Sequence, residues 1–367
     1  MRRVVVKVGS SSLTNAAGEI ENPRLEAIAA AALNSGVEIA IVSSGAVAAG
    51  AGLLNRGRPR TLPEKQAFAA SGQVELMRRW AQAFAPRPVA QFLLSADDIH
   101  SRKRFINAKQ ALMAAFKLNL MPILNENDTV ATEELKLGDN DTLSAWVAYL
   151  IEADTLLLLT DVDGLYTANP RVDPNAIRLD QVDDINQVLH LAGAAGSARG
   201  TGGMQTKLKA AQIASDAGIE TIILSGGGEG LARCLRGERV GTRILPTRQT
   251  ARRGWILHQP ARGGIDIDAG ARAAVLAGKS LLPSGIGGVR GEFDAGDAVT
   301  IHCGEEILGQ GISNFRAFDL RRIAGKRSAE IVGILGAQDF DEAVHRDQMG
   351  LLRGSDPTTA SQSPSRA

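Results

Sequence analysis

Lys7 stands inside a run of β-branched residues, RVVVKV, one position ahead of the small polar stretch GSSS. An ammonium buried without a partner is costly. Either this strand lies at a sheet edge with its lysine in water, or the lysine has work at the strand's end. Its place just before Gly9 and Ser10 favours the second reading, a cation that reaches a phosphate group. A second lysine closes the stretch GTGGMQTK, residues 200 to 207. This is not a Walker loop, because Lys207 follows Thr206 and is followed by Leu208. Nor is it a dinucleotide fingerprint, since Gln205 falls where the third glycine belongs. The amphipathic stretch KLKAAQIASDAG follows, so GTGGMQT forms a helix entrance. Free backbone N–H groups and the helix dipole make such an entrance an anion site. Taken alone, a glycine cluster reads equally well as a helix cap with a loop.

Four further stretches carry polar chemistry: VSSGA, NENDTVA, KLGDNDTLSA and LTDVDGLY. Each has a plainer reading by itself. Ser44-Gly45 is a strand-to-helix turn, GDND a helix cap, and TDVDG a turn whose glycine comes too early for a calcium loop. Together they describe a site with two cations, a phosphate-binding backbone and polar groups suited to an amino acid. There is no G-x-S-x-G elbow, and all five histidines (His100, His190, His258, His302, His345) lie outside these stretches.

That inventory narrows the reaction. Phosphoryl transfer needs positioning and charge neutralisation more than covalent machinery. A carboxylate acceptor with a pKa of ~4.3 is already ionised at neutral pH and needs no general base. The obstacle is its repulsion from the γ-phosphate, which two lysines and Mg²⁺ can offset. A site without histidine fits that chemistry.

The elements that position these residues alternate. RVVVKV, VEIAIVSSG, RPVAQFLL, LMPILNEN, ADTLLLLTD and IETIILSGG read as strands, separated for the most part by helical stretches. Near-continuous apolar strands imply a parallel sheet covered on both faces. The first helix is punctuated by Asn22 as cap, Pro23 in its first turn and Gly36 just past its end. The fold expected is therefore α/β: an open, mainly parallel sheet sandwiched by helices over residues 1–250. In such sheets the site lies at the carboxyl ends of the strands. From 254 to 336 the chain turns to short β-rich, glycine-punctuated pieces with one helical candidate around Ala269 to Ala277, a small barrel-like domain. Residues 350–367 are rich in Ser, Thr and Pro and are expected to be disordered.

Bulk properties set outer limits. The chain of 367 residues favours two domains. Its 44% hydrophobic and 22% charged content is that of a globular protein with a sizeable core. A net charge of +1 gives no electrostatic case for a nucleic-acid or membrane partner over the whole chain. Two distant cysteines argue against a disulfide scaffold or a zinc site. No apolar stretch approaches ~20 residues, so a cytoplasmic location is expected.

VVVKVGSSSL, IVSSGAVAAG, LNENDTVA, LGDNDTLSA, LLLLTDVDGLYTANP and GTGGMQTKLKAA, in that order, resemble the glutamate 5-kinases of the amino-acid kinase family. The resemblance covers nearly the whole chain, with a C-terminal part similar to a PUA domain that includes SLLPSGI and LRRIAGKRS. It implies ATP-dependent phosphorylation of L-glutamate on its side-chain carboxylate, the first step toward proline. Lys7, Lys207 and Asp141 would then be catalytic, with Asp141 orienting the two lysines. Ser44, Asp128 and Asn140 would bind glutamate by its α-amino and α-carboxyl ends. ATP would be held by Lys7, Gly9, Ser10, Thr160, Asp161, Thr201, Gly202, Gly203, Met204, Gln205, Thr206 and Lys207, with a backbone role for Gln205. Mg²⁺ would be carried mainly by ATP oxygens, with no metal ligand among the side chains. Homo-oligomerisation and feedback inhibition by proline are further implications, and RNA is a conceivable partner of the PUA-like domain. Sister kinases of acetylglutamate, aspartate or carbamate would share the lysines and the glycine loop, but not NENDTVA or the appended β-rich domain. The other rival is an RNA-binding or RNA-modifying protein, against which the kinase-side motifs stand.

Overall fold

The computed structural model describes residues 3–15, 18–57, 59–130, 140–170, 172–193, 203–246, 256–336 and 340–352. The chain divides into two compact units, Met1–Arg248 and Gln249–Ala367.

The first unit is built on ten strands: β1 (Arg3–Val8), β2 (Glu38–Ser43), β3 (Val89–Leu94), β4 (Met121–Glu126), β5 (Thr155–Thr160), β6 (Leu165–Tyr166), β7 (Arg178–Leu179), β8 (Gln181–Val182), β9 (Glu220–Ser225) and β10 (Thr242–Ile244). Eight of them form one sheet in the order β3-β4-β2-β1-β5-β9-β10-β8, while β6 and β7 pair separately. The pairings from β3 to β9 are all parallel, and β10 runs antiparallel to β9. β1 lies between β2 and β5, so Lys7 is not an edge lysine. All six residues of β5 are buried, as a strand covered on both faces requires. Helices fill both sides: α1 (Ser10–Leu13), α2 (Asn22–Leu33), α3 (Ala46–Leu54), α4 (Leu62–Phe84), α5 (Ala96–His100), α6 (Arg102–Lys117), α7 (Asn140–Leu150), α8 (Met204–Asp216) and α9 (Gly228–Leu235). In α2 the cap is Glu21 rather than Asn22, which is already helical, while Pro23 occupies the first turn as expected.

Two close approaches fix the helices nearest the site. A Cβ at Gly72 of α4 would lie 1.9 Å from the Ala46 carbonyl oxygen, and one at Gly50 of α3 would lie 2.0 Å from that of Phe68. Only glycine allows α3 and α4 to pack this tightly.

The second unit holds a mixed five-stranded sheet in the order β12-β11-β13-β14-β15, from β11 (Gly263–Ile267), β12 (Ile286–Gly291), β13 (Ala298–Cys303), β14 (Glu306–Ile312) and β15 (Met349–Leu351). Among the elements described in full it carries the helices α10 (Ala269–Leu276), α11 (Ala317–Ile323) and α12 (Ser328–Leu335), where the sequence suggested one. α11 hid among arginines: its core face is only Ala317, Leu320 and Ile323. The unit also continues past the expected end at Gly336. β15 pairs with β14, so Gly350 and Leu351 are strand residues rather than part of a disordered tail. A three-residue strand is too short to show an alternating pattern; the buried Met349 and the open side of β14 recruit it.

Candidate functional site

Because β1, β2, β4, β5 and β9 run parallel, their carboxyl ends share one edge of the sheet. Val8 stands opposite Ser43, and Thr160 opposite Ser225. The turns GSSS, SSG, TD and SGG therefore emerge side by side.

At the centre of that edge is a buried charge cluster. Asp141, in the first turn of α7, has no solvent exposure. Lys7 Nζ lies 2.6 Å from its Oδ1 and Lys207 Nζ lies 3.2 Å from its Oδ2. Each lysine is only 5% exposed. The Thr206 hydroxyl lies 2.7 Å from Asp141 Oδ2 and 2.8 Å from the Gly203 carbonyl oxygen. Burial pushes the Asp141 carboxyl up, but the Lys7 and Lys207 ammoniums outweigh it and hold the group below the ordinary aspartate range. The carboxylate thus stays ionised and gives each lysine its own oxygen. Two ammoniums against one carboxylate leave the cluster net positive, in a place where water screens little. Such a cluster attracts an anion. A Cβ at Gly9 would stand 3.5 Å from Lys7 Nζ, so the turn after β1 passes directly beside the ammonium.

Beside it lies an uncharged network. Gly45 adopts φ +107°, in the left-handed region, and turns the chain sharply from β2 into α3, leaving Ser44 half-buried at the bend. Asn140, next in sequence to Asp141, points its Nδ2 at Ser44 Oγ (3.0 Å), at Asn125 Oδ1 (2.9 Å) and at the Ser43 carbonyl oxygen (3.3 Å). Asn125 Nδ2 donates in turn to Gln73 Oε1 (3.1 Å). Trp80 Nε1 donates to Ser43 Oγ at 3.0 Å, so α4 supports this floor from two turns. Asn140 Oδ1 is buried and has no hydrogen-bond partner.

The direct contacts therefore unite Lys7, Asp141, Thr206 and Lys207 in one set, and Ser44 with Asn140 in another. The remaining expected residues are placed on flanking elements. Ser10 is exposed at the start of α1, and Asp128 lies half-buried in the turn after β4. Thr160 ends β5 with its Oγ1 3.1 Å from Asp161 Oδ1. Gly203, Met204 and Gln205 open α8, with Gln205 exposed. Thr201 and Gly202 lie outside the described residues. Among the described residues, no group of three or more His, Cys, Asp or Glu side chains could hold a metal ion.

Sequence reasoning missed Ser12, Gln73, Asn125 and Gly226. Ser12 is buried with its hydroxyl unpartnered, and a Cβ at Gly226 would meet that oxygen at 2.1 Å and the Thr160 carbonyl oxygen at 2.9 Å. The signal for Gly226 was present: IETIILSGG ends in the same strand-then-glycine pattern as KVGSSS and VSSGA. Gln73 carried no signal, being one polar residue on a long amphipathic helix.

Residues 2–225 match the amino acid kinase family, and residues 263–335 match the PUA domain. A glutamate 5-kinase of Carboxydothermus hydrogenoformans is 47% identical over 364 residues, covering 96% of this chain and 98% of its own length. One from Deinococcus radiodurans is 48% identical over 364 residues, covering 95% of this chain and all of its own. Among solved structures, a carbamate kinase from Giardia lamblia bound to AMP-PNP is similar with a TM-score of 0.51 at 17% identity, over 67% of this chain and 99% of its own. That last likeness concerns the fold alone.

Proposed function

The chain belongs to the amino acid kinase family, and from that premise we infer that it transfers the γ-phosphoryl group of ATP to the side-chain carboxylate of L-glutamate, giving L-glutamate 5-phosphate and ADP on the way to proline. The observation that carries the reading is the buried cluster in which Asp141 holds Lys7 and Lys207 on its two oxygens. A carboxylate oxygen attacks the γ-phosphorus while the bond to the ADP oxygen breaks. The acceptor is ionised already, so no proton has to be removed. Lys7 and Lys207 neutralise the charge that builds on the phosphoryl oxygens, which is where fixed cations lower a barrier most. The backbone N–H groups at the entrance of α8 add hydrogen-bond donors to phosphate oxygens, while the Thr206 hydroxyl braces Asp141. Gly9, Ser10, Thr160, Asp161 and Gly203 to Lys207 line the nucleotide side, while Ser44, Asp128 and Asn140 hold glutamate.

Mg²⁺ fits this donor set as a companion of the nucleotide. Asp141 is already engaged by two lysines and Thr206, so phosphate oxygens rather than a protein cage would bind the ion, which supplies further charge neutralisation.

Incubation with ATP, Mg²⁺ and candidate acids in hydroxylamine tests the reading, because hydroxylamine traps acyl phosphates as hydroxamates. A hydroxamate with glutamate is expected. A signal confined to acetylglutamate or aspartate would assign the chain to a sister activity. The resemblance further supports a cytoplasmic enzyme that forms homo-oligomers and is inhibited by proline; Cys234 and Cys303 form no disulfide, and among the described residues no helix is long and apolar enough to cross a membrane. RNA at the C-terminal unit is a separate reading. Phe318 is 64% exposed with the Arg322 guanidinium 5.8 Å from its ring centre, a stacking surface of the kind single strands use. Against it, Arg321 is paired with Glu292 and Arg316 with Asp319. Filter binding at two salt concentrations decides between them.

A further inference from the structure

We propose that Gln73 is a positioning residue that fixes which atom Asn140 shows to the substrate, a proposal that rests on the glutamate reading above. A side-chain amide can present either its oxygen or its nitrogen, and its neighbours decide which. Here the decision starts from the backbone. The Glu126 N–H can only donate, and it donates to Asn125 Oδ1 at 2.9 Å. Asn125 must therefore turn its nitrogen the other way, where Gln73 Oε1 accepts at 3.1 Å. With the Asn125 oxygen so placed, Asn140 must face it nitrogen first, at 2.9 Å. The Asn140 nitrogen is then committed to Asn125, Ser44 and Ser43, and its oxygen is left over, buried and without a partner.

A buried carbonyl oxygen without a donor is costly, and the bound substrate can cancel that cost. The ligand group that fits is a donor, and the α-ammonium of an amino acid is the strongest donor available. Gln73 is 8% exposed and Asn125 3%, so water does not readily substitute for either partner. Gly72 holds this part of α4 hard against α3, which keeps Gln73 in reach. Removing the Gln73 acceptor would leave the Asn125 amide hydrogens buried and unmet. Only the Glu126 N–H would then hold Asn125 in place, its amide would be free to swing, and Asn140 would lose the fixed acceptor that keeps its oxygen turned to the substrate ammonium. The pocket would lose its preference for an amine.

Gln73→Met keeps the length of the side chain and removes the acceptor, while Gln73→Glu keeps an acceptor. The measurements are the KM for glutamate, the inhibition constant of glutarate (glutamate without its amine) and the KM for ATP. Losing one hydrogen bond to a charged group corresponds to roughly tenfold or more. Gln73→Met should raise the glutamate KM by about that factor, leave glutarate inhibition and the ATP KM within about twofold, and so collapse the discrimination between the two acids. Gln73→Glu should retain most of that discrimination. If Gln73→Met preserves the ratio, or weakens glutamate, glutarate and ATP together, Gln73 is only structural and the proposal fails. Loss of the ratio in Gln73→Glu to the level expected of the methionine variant also overturns it, and that arm stands even if Gln73→Met does not fold. An unsubstituted protein that makes no hydroxamate from glutamate overturns the functional reading itself, whereas an active one with unaltered discrimination in the variants overturns only the role of Gln73.

Discussion

Asn140 and Asp141 are consecutive, yet they organise two halves of the site that work by different physics. Asp141 gathers Lys7, Lys207 and Thr206 around a fully buried carboxylate. Asn140 gathers Ser44, Asn125 and, through Asn125, Gln73, with no net charge at all. Full charges at close range are strong and barely directional, which suits a transition state whose charge is spread over several oxygens. Neutral amides are weaker and directional, which suits recognition of a ground state with a defined pattern of donors and acceptors. One peptide bond at the start of α7 joins them, so the acceptor oxygen and the phosphoryl group are placed by the same rigid helix end.

That contrast is tested most severely by the lysines. Lys7→Ala and Lys207→Ala should each lower kcat by roughly two or more orders of magnitude, with the glutamate KM much less affected, since their charges count most in the transition state. Asp141→Asn should show the other side of the same cluster. It leaves two ammoniums without their carboxylate, and breaking such a buried pair costs about 3–5 kcal/mol, which a denaturant titration would register. Its carboxyl is held below the ordinary range, so its protonation should produce no inflection in kcat between about pH 5 and 8.

Ser44→Ala, Asp128→Ala and Asn140→Ala should reverse the kinetic pattern, raising the glutamate KM by about tenfold each while kcat falls less. Steady-state kinetics with glutamate varied at saturating ATP measures both groups of variants together. If lysine and amide-side variants move the same parameter, the division between a charge half and a recognition half is wrong.

How much of this was legible beforehand follows the same division. The charge half announced itself, because a lysine in a valine run conflicts with its surroundings and must have a partner. The sequence also marks the strand ends, since SSG and TD interrupt long apolar runs. The partner itself was less visible: by spacing alone GDND reads as an ordinary helix cap, and only the family resemblance pointed to Asp141, which the fold brings to Lys7 from across 134 positions of chain. The support of the amide half was legible only in part. Asn125 opens the marked stretch NENDTVA, but Gln73 is an unremarkable residue type, and the function of both depends on hydrogen-bond direction, which no spacing rule records. In the second unit, α11 escaped because three small contacts with the core lie between arginines, and β15 because its strand is three residues long.

All the site residues described above belong to the first unit, Met1–Arg248. One core cluster runs from Val4 to Leu235 on one face of the sheet, and Val5, Leu156, Leu158 and Ile223 are buried on the other. A chain ending at Arg248 should therefore fold and phosphorylate glutamate with kcat within a few-fold of the full-length protein. Assembly and regulation are the properties free to change. The check is to purify that truncation and assay it beside the whole chain. A folded truncation with no turnover would mean that the second unit completes the site, and the account of a self-contained charge half would fail.

The smallest effect comes from an ion pair that is the exposed counterpart of the Asp141 cluster. On α4, Arg78 and Arg79 each reach Glu75 at 2.8 Å, and Arg79 also bonds the Ile20 carbonyl oxygen at 2.8 Å and Asn22 Oδ1 at 2.9 Å, tying α4 to the start of α2. The hydrogen bonds from Arg78 lead the causes that lower the Glu75 carboxyl to about 2. A carboxyl depressed on folding contributes stability that is present above its unfolded value of ~4.3, and that contribution is lost as the pH falls toward 2. Water reaches the pair chiefly through the Arg78 side chain, 54% exposed against 26% for Arg79, so the contribution is about 1 kcal/mol or less. Glu75→Gln should lower stability by that amount at pH 7 and by almost nothing near pH 2, as read by urea titrations across the range. A penalty of several kcal/mol would show that an exposed pair here behaves like the buried one, and burial would no longer explain why the two clusters differ.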